Sequence, residues 1–358
     1  MEGRVENSSG ISERERLIAA VEKGRRAKWW HRKGSKSCGF KYFDATGKRV
    51  TDESAIERIN ALVIPPAWRF VRISPSQNSS LQAVGVDTTG RIQYKYHQRF
   101  SDRQQRKKFE KIERFGRILP EFRKTTNEHL VLEGFPREKV LAIMMRLINS
   151  LYFRVGSEKS VKQYKTFGIT TLQNRHLTID GHGRLVFDFV GKSHIKHRKI
   201  LVDKELAAVM SELKNLGPAR KLFHYVTDDG TLRSVKPADV NNYIKDVTSP
   251  EFSSKDFRTW AGSLLAAVEL AELGSTEDEK ETKRRLVRAV KVVAEQLGNT
   301  PAVCRSSYIH PKVIDAYCNG ITVAEFEPRR SRCIKLSQSD YEPSELALLK
   351  LLENGKQK

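Results

Sequence analysis

The chain has little of what metal or disulfide chemistry requires. Among its 358 residues there are four cysteines, Cys38, Cys304, Cys318 and Cys333, and no two stand in a CxxC spacing. With no signal peptide ahead of them, they are expected to be reduced intracellular thiols, buried rather than liganding. The histidines carry no metal signature either. Gly181-His182-Gly183 and the pair His194/His197 lack companion cysteines or carboxylates at ligand spacing, so no metal and no cofactor is expected. No apolar run approaches the ~20 residues of a membrane span, and no basic amphipathic terminus is evident. Acidic residues are the remaining scarcity: 43 Asp and Glu against 65 Lys and Arg give a formal net charge of +22 and a pI of about 9.8. Such an excess repels itself unless a polyanion is at hand, which makes nucleic acid the first partner to consider.

What is present describes an ordinary folded protein, 39% hydrophobic and 30% charged, long enough for one large domain or two smaller ones. The first ten residues look loose, and residues 11–30, ISERERLIAAVEKGRRAKWW, are expected to form a short charged helix. GFKYFDATGKRVT shows two alternating runs around the turn Asp44-Ala-Thr-Gly47, and a helix follows at DESAIERINAL, capped by Asp52 or Ser54. IPPAWRFVRIS, LQAVGVDT and RIQYKYHQRF complete a small β unit ending near Phe100. Beyond it lie a long basic helix and PREKVLAIMMRLINSLYFRVG, the strongest core helix, apolar at Val140, Leu141, Met144, Leu147, Ile148 and Leu151. A three-stranded meander of HLTID, RLVFDFVG and KHRKILV interrupts before helices dominate from Asp203 onward. The expectation is an α+β protein: an extension over 1–27, flexible or helical, a β-rich unit over 28–100, and a mainly helical domain carrying the meander over 101–358. The last residues, SELALLKLLENGKQK, are expected to pack as a terminal helix.

One stretch invites chemistry. LGNTPAVCRSSYIHP, Leu297 to Pro311, starts a helix with Thr300 as N-cap and Pro301 in its first turn, then places Tyr308 among arginine, serine and histidine. A phenol with a pKa near ~10 is a poor nucleophile unless its surroundings are cationic or a base is near. In a protein built to hold a polyanion, its natural electrophile is a phosphodiester. That reaction needs guanidinium groups on the non-bridging oxygens and a proton donor for the departing oxygen. Taken singly, the available cations are bland. Arg154 reads as a charge closing a helix C-terminus, Arg258 in KDFRTWAG as a surface or cap arginine, and Lys192 in FVGKSHIKH as a solvated turn lysine.

As an ordered set they are specific. LYFRVGSE, FGITTLQNRHL, DFVGKS, KDFRTW and LGNTPAVCRSSYIHP resemble the catalytic domain of type IB DNA topoisomerases of the bacterial and poxvirus kind. IPPAW, LQAVGVD and GRIQYKYHQRF resemble the bacterial members' DNA-clamping domain, so the resemblance runs from roughly Lys28 to Tyr317. It implies that Tyr308 is the nucleophile leaving a 3′-phosphotyrosyl link, that Arg154 and Arg258 hold the scissile phosphate, and that Lys192 protonates the leaving 5′-oxygen. Asn299 stands nine residues before Tyr308, where the poxvirus pattern has histidine; its amide can still donate to a non-bridging oxygen. Ser160 stands where relatives usually carry a tyrosine, with Tyr164 as a stand-in. Gln93, Tyr94 and Tyr96 match the strand that enters the major groove, with the two tyrosines on one face; the alternative for them is a half-buried strand of a small β unit. The helix RQQRKKFEK is either a phosphate-tracking surface or a solvated face.

The resemblance further implies a monomeric clamp on duplex DNA, relaxing supercoils by strand rotation without ATP or metal. In a bacterium it would be cytoplasmic and nucleoid-associated. Two other classes remain. A tyrosine recombinase shares the fold, but its usual box has histidine three residues before the second arginine, where this chain has Lys255. In an architectural DNA-binding protein, Tyr308 would be a core residue.

Overall fold

The computed structural model describes residues 12–217, 220–326 and 341–354, and Cys333 lies outside them. The protein is α+β and divides into two compact units, Met1–Lys107 and Lys108–Lys358.

In the first unit, two turns of one design reverse the chain. At Asp44-Ala-Thr-Gly47 the Asp44 Oδ1 accepts from the main-chain N–H of Thr46 and of Lys48, both at 2.9 Å. Asp87-Thr-Thr-Gly90 repeats this with Thr89 and Arg91, again at 2.9 Å. An aspartate that satisfies the backbone of its own turn, followed by a glycine at positive φ, reverses the chain cheaply. The elements are α1 (Glu13–Val21), β1 (Trp30–Ser35), β2 (Gly39–Phe43), α2 (Glu53–Ala61), β3 (Arg69–Ile73), β4 (Leu81–Val86) and β5 (Ile92–Tyr96). The strands form an antiparallel sheet in the order β2-β1-β3-β4-β5. Alternation sends Val71, Ile73 and Ala83 against Ile59 of α2, and Val84 and Val86 against Val21 of α1. Each face of the sheet is thus closed by one helix, and α1 belongs to this unit's core rather than to an extension.

The helix expected over residues 11–30 stops at Val21, a 3-10 turn spans Gly24–Lys28, and Trp30 opens β1. Gly24 at φ +66° is the break. After the Asp44 turn, the expected second strand is reduced to one bridge, Phe43 to Arg49. Cys38 and Cys318 are exposed; of the described cysteines Cys304 alone is buried. Neither exposed thiol lies on a face that a neighbouring element covers.

The boundary between the units falls inside α3 (Gln98–Leu130). The second unit continues with α4 (Arg137–Leu151), α5 (Glu158–Tyr164), β6 (Leu177–Ile179), β7 (Arg184–Val190), β8 (Lys196–Val202), α6 (Lys204–Asn215), β9 (His224–Val226), β10 (Leu232–Ser234), α7 (Pro237–Val247), α8 (Ser254–Leu273), α9 (Glu279–Leu297), α10 (Pro301–Ser307), α11 (Pro311–Cys318) and α12 (Pro343–Asn354). The antiparallel meander β6-β7-β8 is where the sequence places it. The hairpin β9/β10 stands in a stretch expected to be helical; its three-residue strands are too short to show a period of two.

Two helices are buried almost all round and form the centre of this unit. In α4 every residue from Val140 to Met145 is buried, and in α8 every residue from Asp256 to Ser263 is. A helix with no solvated face belongs inside. No helix among the described residues is long and apolar enough to cross a membrane. The terminal helix α12 packs with Leu348 and Leu352 fully buried. It is fixed by Glu345, which accepts from Arg123 through both oxygens at 2.7 and 2.6 Å and from the Trp260 indole at 3.4 Å. Glu345 is 4% exposed, so removing it leaves Arg123 without the carboxylate it was buried with. Glu345→Ala is expected to cost on the order of 3 kcal/mol and to lower the melting temperature by roughly 5–10 °C. An unchanged melting curve would show that the Glu345 contacts do not hold α12.

Candidate active site

The segment around Tyr308 folds as its sequence dictates. Thr300 caps α10, its hydroxyl accepting from the Val303 N–H at 3.4 Å, and Pro301 occupies the first helical position. The helix lasts less than two turns, and Tyr308 is its C-cap, bonded through its N–H to the Cys304 carbonyl at 2.9 Å. The ring is half-buried, and the Arg258 guanidinium lies 5.5 Å from its centroid.

Arg258 is no surface arginine. It sits on the all-buried face of α8, 5% exposed, and donates to the Tyr152 carbonyl and to the Leu297 carbonyl, the latter at 2.8 Å. Arg154 likewise departs from the expected helix end. The helix α4 stops at Leu151, Tyr152 turns left-handed at φ +58°, and Arg154 follows on irregular backbone. Its guanidinium donates to the Gly298 carbonyl at 2.6 Å and to Asn299 Oδ1 at 2.5 Å. Since arginine only donates, the amide oxygen must face it, which turns Asn299 Nδ2 the other way. That nitrogen is buried with the Cys304 thiol as its polar neighbour and makes no hydrogen bond of ordinary geometry.

The site also contains two groups on β8: Lys199, which the sequence does not single out, and His197, weighed there only as a metal ligand. Lys199 donates to the Gln296 carbonyl at 3.1 Å. Burial, with Arg258 and Arg154 nearby, pushes its amine down to about 8. His197 is pushed to about 4 by burial and by Lys199, Arg154 and Arg258, so its imidazole is neutral at neutral pH. Gly298, at φ +60°, lies so close to His197 that any Cβ there would overlap the ring. The available signal was positional: in KHRKILV, residues 197, 199 and 201 share the inward face, and two of the three are not apolar.

These contacts share one feature. At the C-terminus of α9 the Ala294 and Glu295 carbonyls accept from main-chain N–H groups. The next three, of Gln296, Leu297 and Gly298, accept from Lys199, Arg258 and Arg154 respectively. The negative end of a helix therefore orients three cations. Among the described residues none of the three forms a salt bridge with a carboxylate. Burial, then Arg154, brings Arg258 down to about 10, while the Tyr308 hydroxyl works the other way. A cationic cluster of this kind is suited to an anion, and the Tyr308 phenol stands beside it.

Lys192 is not part of this cluster. It opens the 3-10 turn Lys192–His194 between β7 and β8, is exposed, and no hydrogen bond or ion pair among the described residues joins it to the arginines. Ser160 spends its hydroxyl on the Ser157 cap of its own helix at 2.9 Å, and Tyr164 ends that helix half-buried. In the first unit Tyr94 and Tyr96 are 44% and 46% exposed on one face of β5, with ring centroids 6.1 Å apart. Gln93 faces the opposite way by alternation and donates to Asp87 at 2.8 Å.

The chain matches the family described as eukaryotic DNA topoisomerase I, catalytic core, over residues 97–332, and bacterial DNA topoisomerase IB, N-terminal domain, over residues 39–87. It is 30% identical to the DNA topoisomerase 1B of Acanthamoeba polyphaga mimivirus over 286 residues, 78% of this chain and 84% of that protein. With the DNA topoisomerase 1B of vaccinia virus (strain Copenhagen) it shares 22% identity, over 65% of this chain and 71% of the relative. With the DNA topoisomerase 1 of Candida albicans it shares 28%, over 49% of this chain but 22% of that longer protein.

The cluster makes a prediction about the free protein. A lysine whose folded pKa lies near 8, below the usual ~10.4, binds fewer protons folded than unfolded between those values, so stability rises as pH rises through that window. Below it, the buried charge is a cost. Lys199→Met is therefore expected to raise the melting temperature of the DNA-free protein at pH 7, and the gain should shrink as pH rises above about 8. A loss of stability that is the same at pH 7 and pH 9.5 would contradict this picture.

Proposed function

The chain belongs to the type IB DNA topoisomerases, and from that membership we propose that it relaxes supercoiled duplex DNA by cutting one strand through Tyr308, letting the free end rotate, and resealing it. The observation that carries this reading is the placement of Tyr308 against cations held by carbonyls instead of carboxylates.

Tyr308 Oη gives up its proton to water and attacks the scissile phosphorus, the bond to the 5′-oxygen breaks, and a 3′-phosphotyrosyl link forms. Negative charge accumulates on the non-bridging oxygens as this happens. Arg154 and Arg258 each have five N–H donors, of which the carbonyls and Asn299 take only some, and the remainder meet those oxygens. Asn299 Nδ2, buried without a hydrogen bond of ordinary geometry, supplies one further donor. Lys192 reaches the site from its exposed turn and protonates the 5′-oxygen as it leaves. A compact ammonium on a flexible four-carbon stem suits a donor that must travel. The reverse attack by the 5′-hydroxyl restores the strand. Because the phosphotyrosyl bond keeps the energy of the phosphodiester, resealing draws on no ATP, and because the protein's own cations meet the developing charge, no divalent metal is required.

Tyr94 and Tyr96 supply the contact of the first unit with the major groove, with the protein acting as a monomeric clamp. Much of the affinity comes from the net charge and is expected to fall with added salt.

The test is relaxation of negatively supercoiled plasmid without ATP and with excess EDTA, beside Tyr308→Phe. The expected result is relaxation by the parent and none by the variant, which retains DNA binding. A parent that binds DNA and leaves it supercoiled, or a variant that still relaxes it, would overturn the assignment.

A further inference from the structure

The reaction proposed above asks for a phenol held at one distance from the arginines, and the main chain around Tyr308 is pinned to an unusual degree. On α8, Gly262 stands four residues after Arg258, on the same face of the helix. A Cβ built on Gly262 would lie 2.7 Å from the Tyr308 carbonyl oxygen and 3.0 Å from the Tyr308 Cβ. No side chain, not even a methyl group, fits while Tyr308 stays where it is. The next residue, Ser263, is fully buried. Its hydroxyl accepts from the His310 N–H at 3.0 Å and shares its proton between the Thr259 carbonyl at 3.0 Å and the Tyr308 carbonyl at 3.3 Å. From the other side Lys108 of α3 donates to the Ser307 carbonyl at 2.8 Å. Past the tyrosine, the His310 ring packs on Phe109 at 4.9 Å, and Lys312 pairs with Glu113 at 2.9 Å.

We infer that Gly262 is a positioning residue for Tyr308: its missing side chain lets the tyrosine's main chain dock on the Arg258 face of α8, and Ser263 and Lys108 fix the carbonyls of Tyr308 and Ser307 there before DNA arrives. This inference rests on Tyr308 being the nucleophile. Its physical content is that the distance between the phenol and Arg258 is set by contact between a helix backbone and the tyrosine backbone. Such contact is stiff, whereas a long side chain would allow the phenol to drift. A displacement of about 1 Å between reacting groups costs on the order of a hundredfold in rate, and a Cβ at position 262 forces a displacement of that order. Lys108 acts more weakly, since losing its bond frees one carbonyl without pushing the chain.

The experiment is single-turnover cleavage of a duplex that loses its downstream, 5′-hydroxyl-bearing fragment on cutting, at saturating protein, with DNA affinity and the rate at which the trapped complex reseals onto an added 5′-hydroxyl strand measured on the same proteins. Gly262→Ala is expected to slow cleavage and resealing together by roughly a hundredfold at unchanged DNA affinity. Lys108→Met should slow both by about tenfold, and Lys108→Arg, which keeps a donor, should recover most of the loss. A destabilised but correctly arranged protein would melt earlier without this matched loss of rate. Gly262→Ala cleaving at the parent rate overturns the inference. Should that variant fail to fold, Lys108→Met at the parent rate overturns it equally. A parent that forms no covalent complex would instead overturn the proposed function, so the two failures are distinguishable.

Discussion

Three carbonyls at the end of one helix hold the cation cluster of the second unit in place. The carboxyl terminus of α9 leaves the oxygens of Gln296, Leu297 and Gly298 without backbone partners, and Lys199, Arg258 and Arg154 fill them. A helix end carries only about half an elementary negative charge. It can therefore orient three cations without neutralising them. Carboxylates in the same places would hold the side chains as firmly and would cancel the charge, leaving a phosphate nothing to gain. Gly298 is what allows the arrangement, because the left-handed turn that ends α9 brings its main chain against His197 and within reach of Arg154.

The arrangement has a cost in the free protein. Cations crowded in a half-buried pocket repel one another and lose hydration, which is why Lys199 and Arg258 are pushed down to about 8 and about 10. The surrounding core must absorb that cost, and it is extensive: α4 and α8 are buried almost all round, and α12 packs on the unit through Glu345. A bound polyanion would relieve the repulsion, so binding and folding favour the same state. The net charge of +22 extends this logic over the whole surface.

The legible parts of the sequence were those whose signal is local. Thr300 and Pro301 announce α10, the Asp44 turn announces a strand reversal, the apolar period of α4 announces a core helix, and the meander follows from its alternation. What escaped depends on distant partners. Nothing beside Arg258 in KDFRTWAG says that α8 is buried almost all round, because that depends on α3, α4 and α12 packing around it. Arg154 was placed at a helix end that Tyr152 in fact ends three residues earlier. Lys199 and His197 were hidden in a strand whose other inward residue is apolar, so alternation identified the face and gave no hint of its cationic neighbours. The first strand was lost in WWHRKGS, where no period of two is visible, and β9 and β10 are too short to have one. The roles proposed for Tyr308, Arg154, Arg258, Lys192 and Asn299 rest on an ordered resemblance, and the fold brings together all of these residues but Lys192.

The most direct test of the central claim, that the cation-lined phenol is where DNA becomes joined to protein, is to map the covalent bond. The protein would be trapped on a duplex that loses its downstream, 5′-hydroxyl-bearing fragment on cutting, digested with a protease and nuclease, and the adduct located by mass spectrometry. The account predicts a single nucleotide remnant, joined through its 3′-phosphate to Tyr308. A remnant on another side chain, or one joined through a 5′-phosphate, would contradict it.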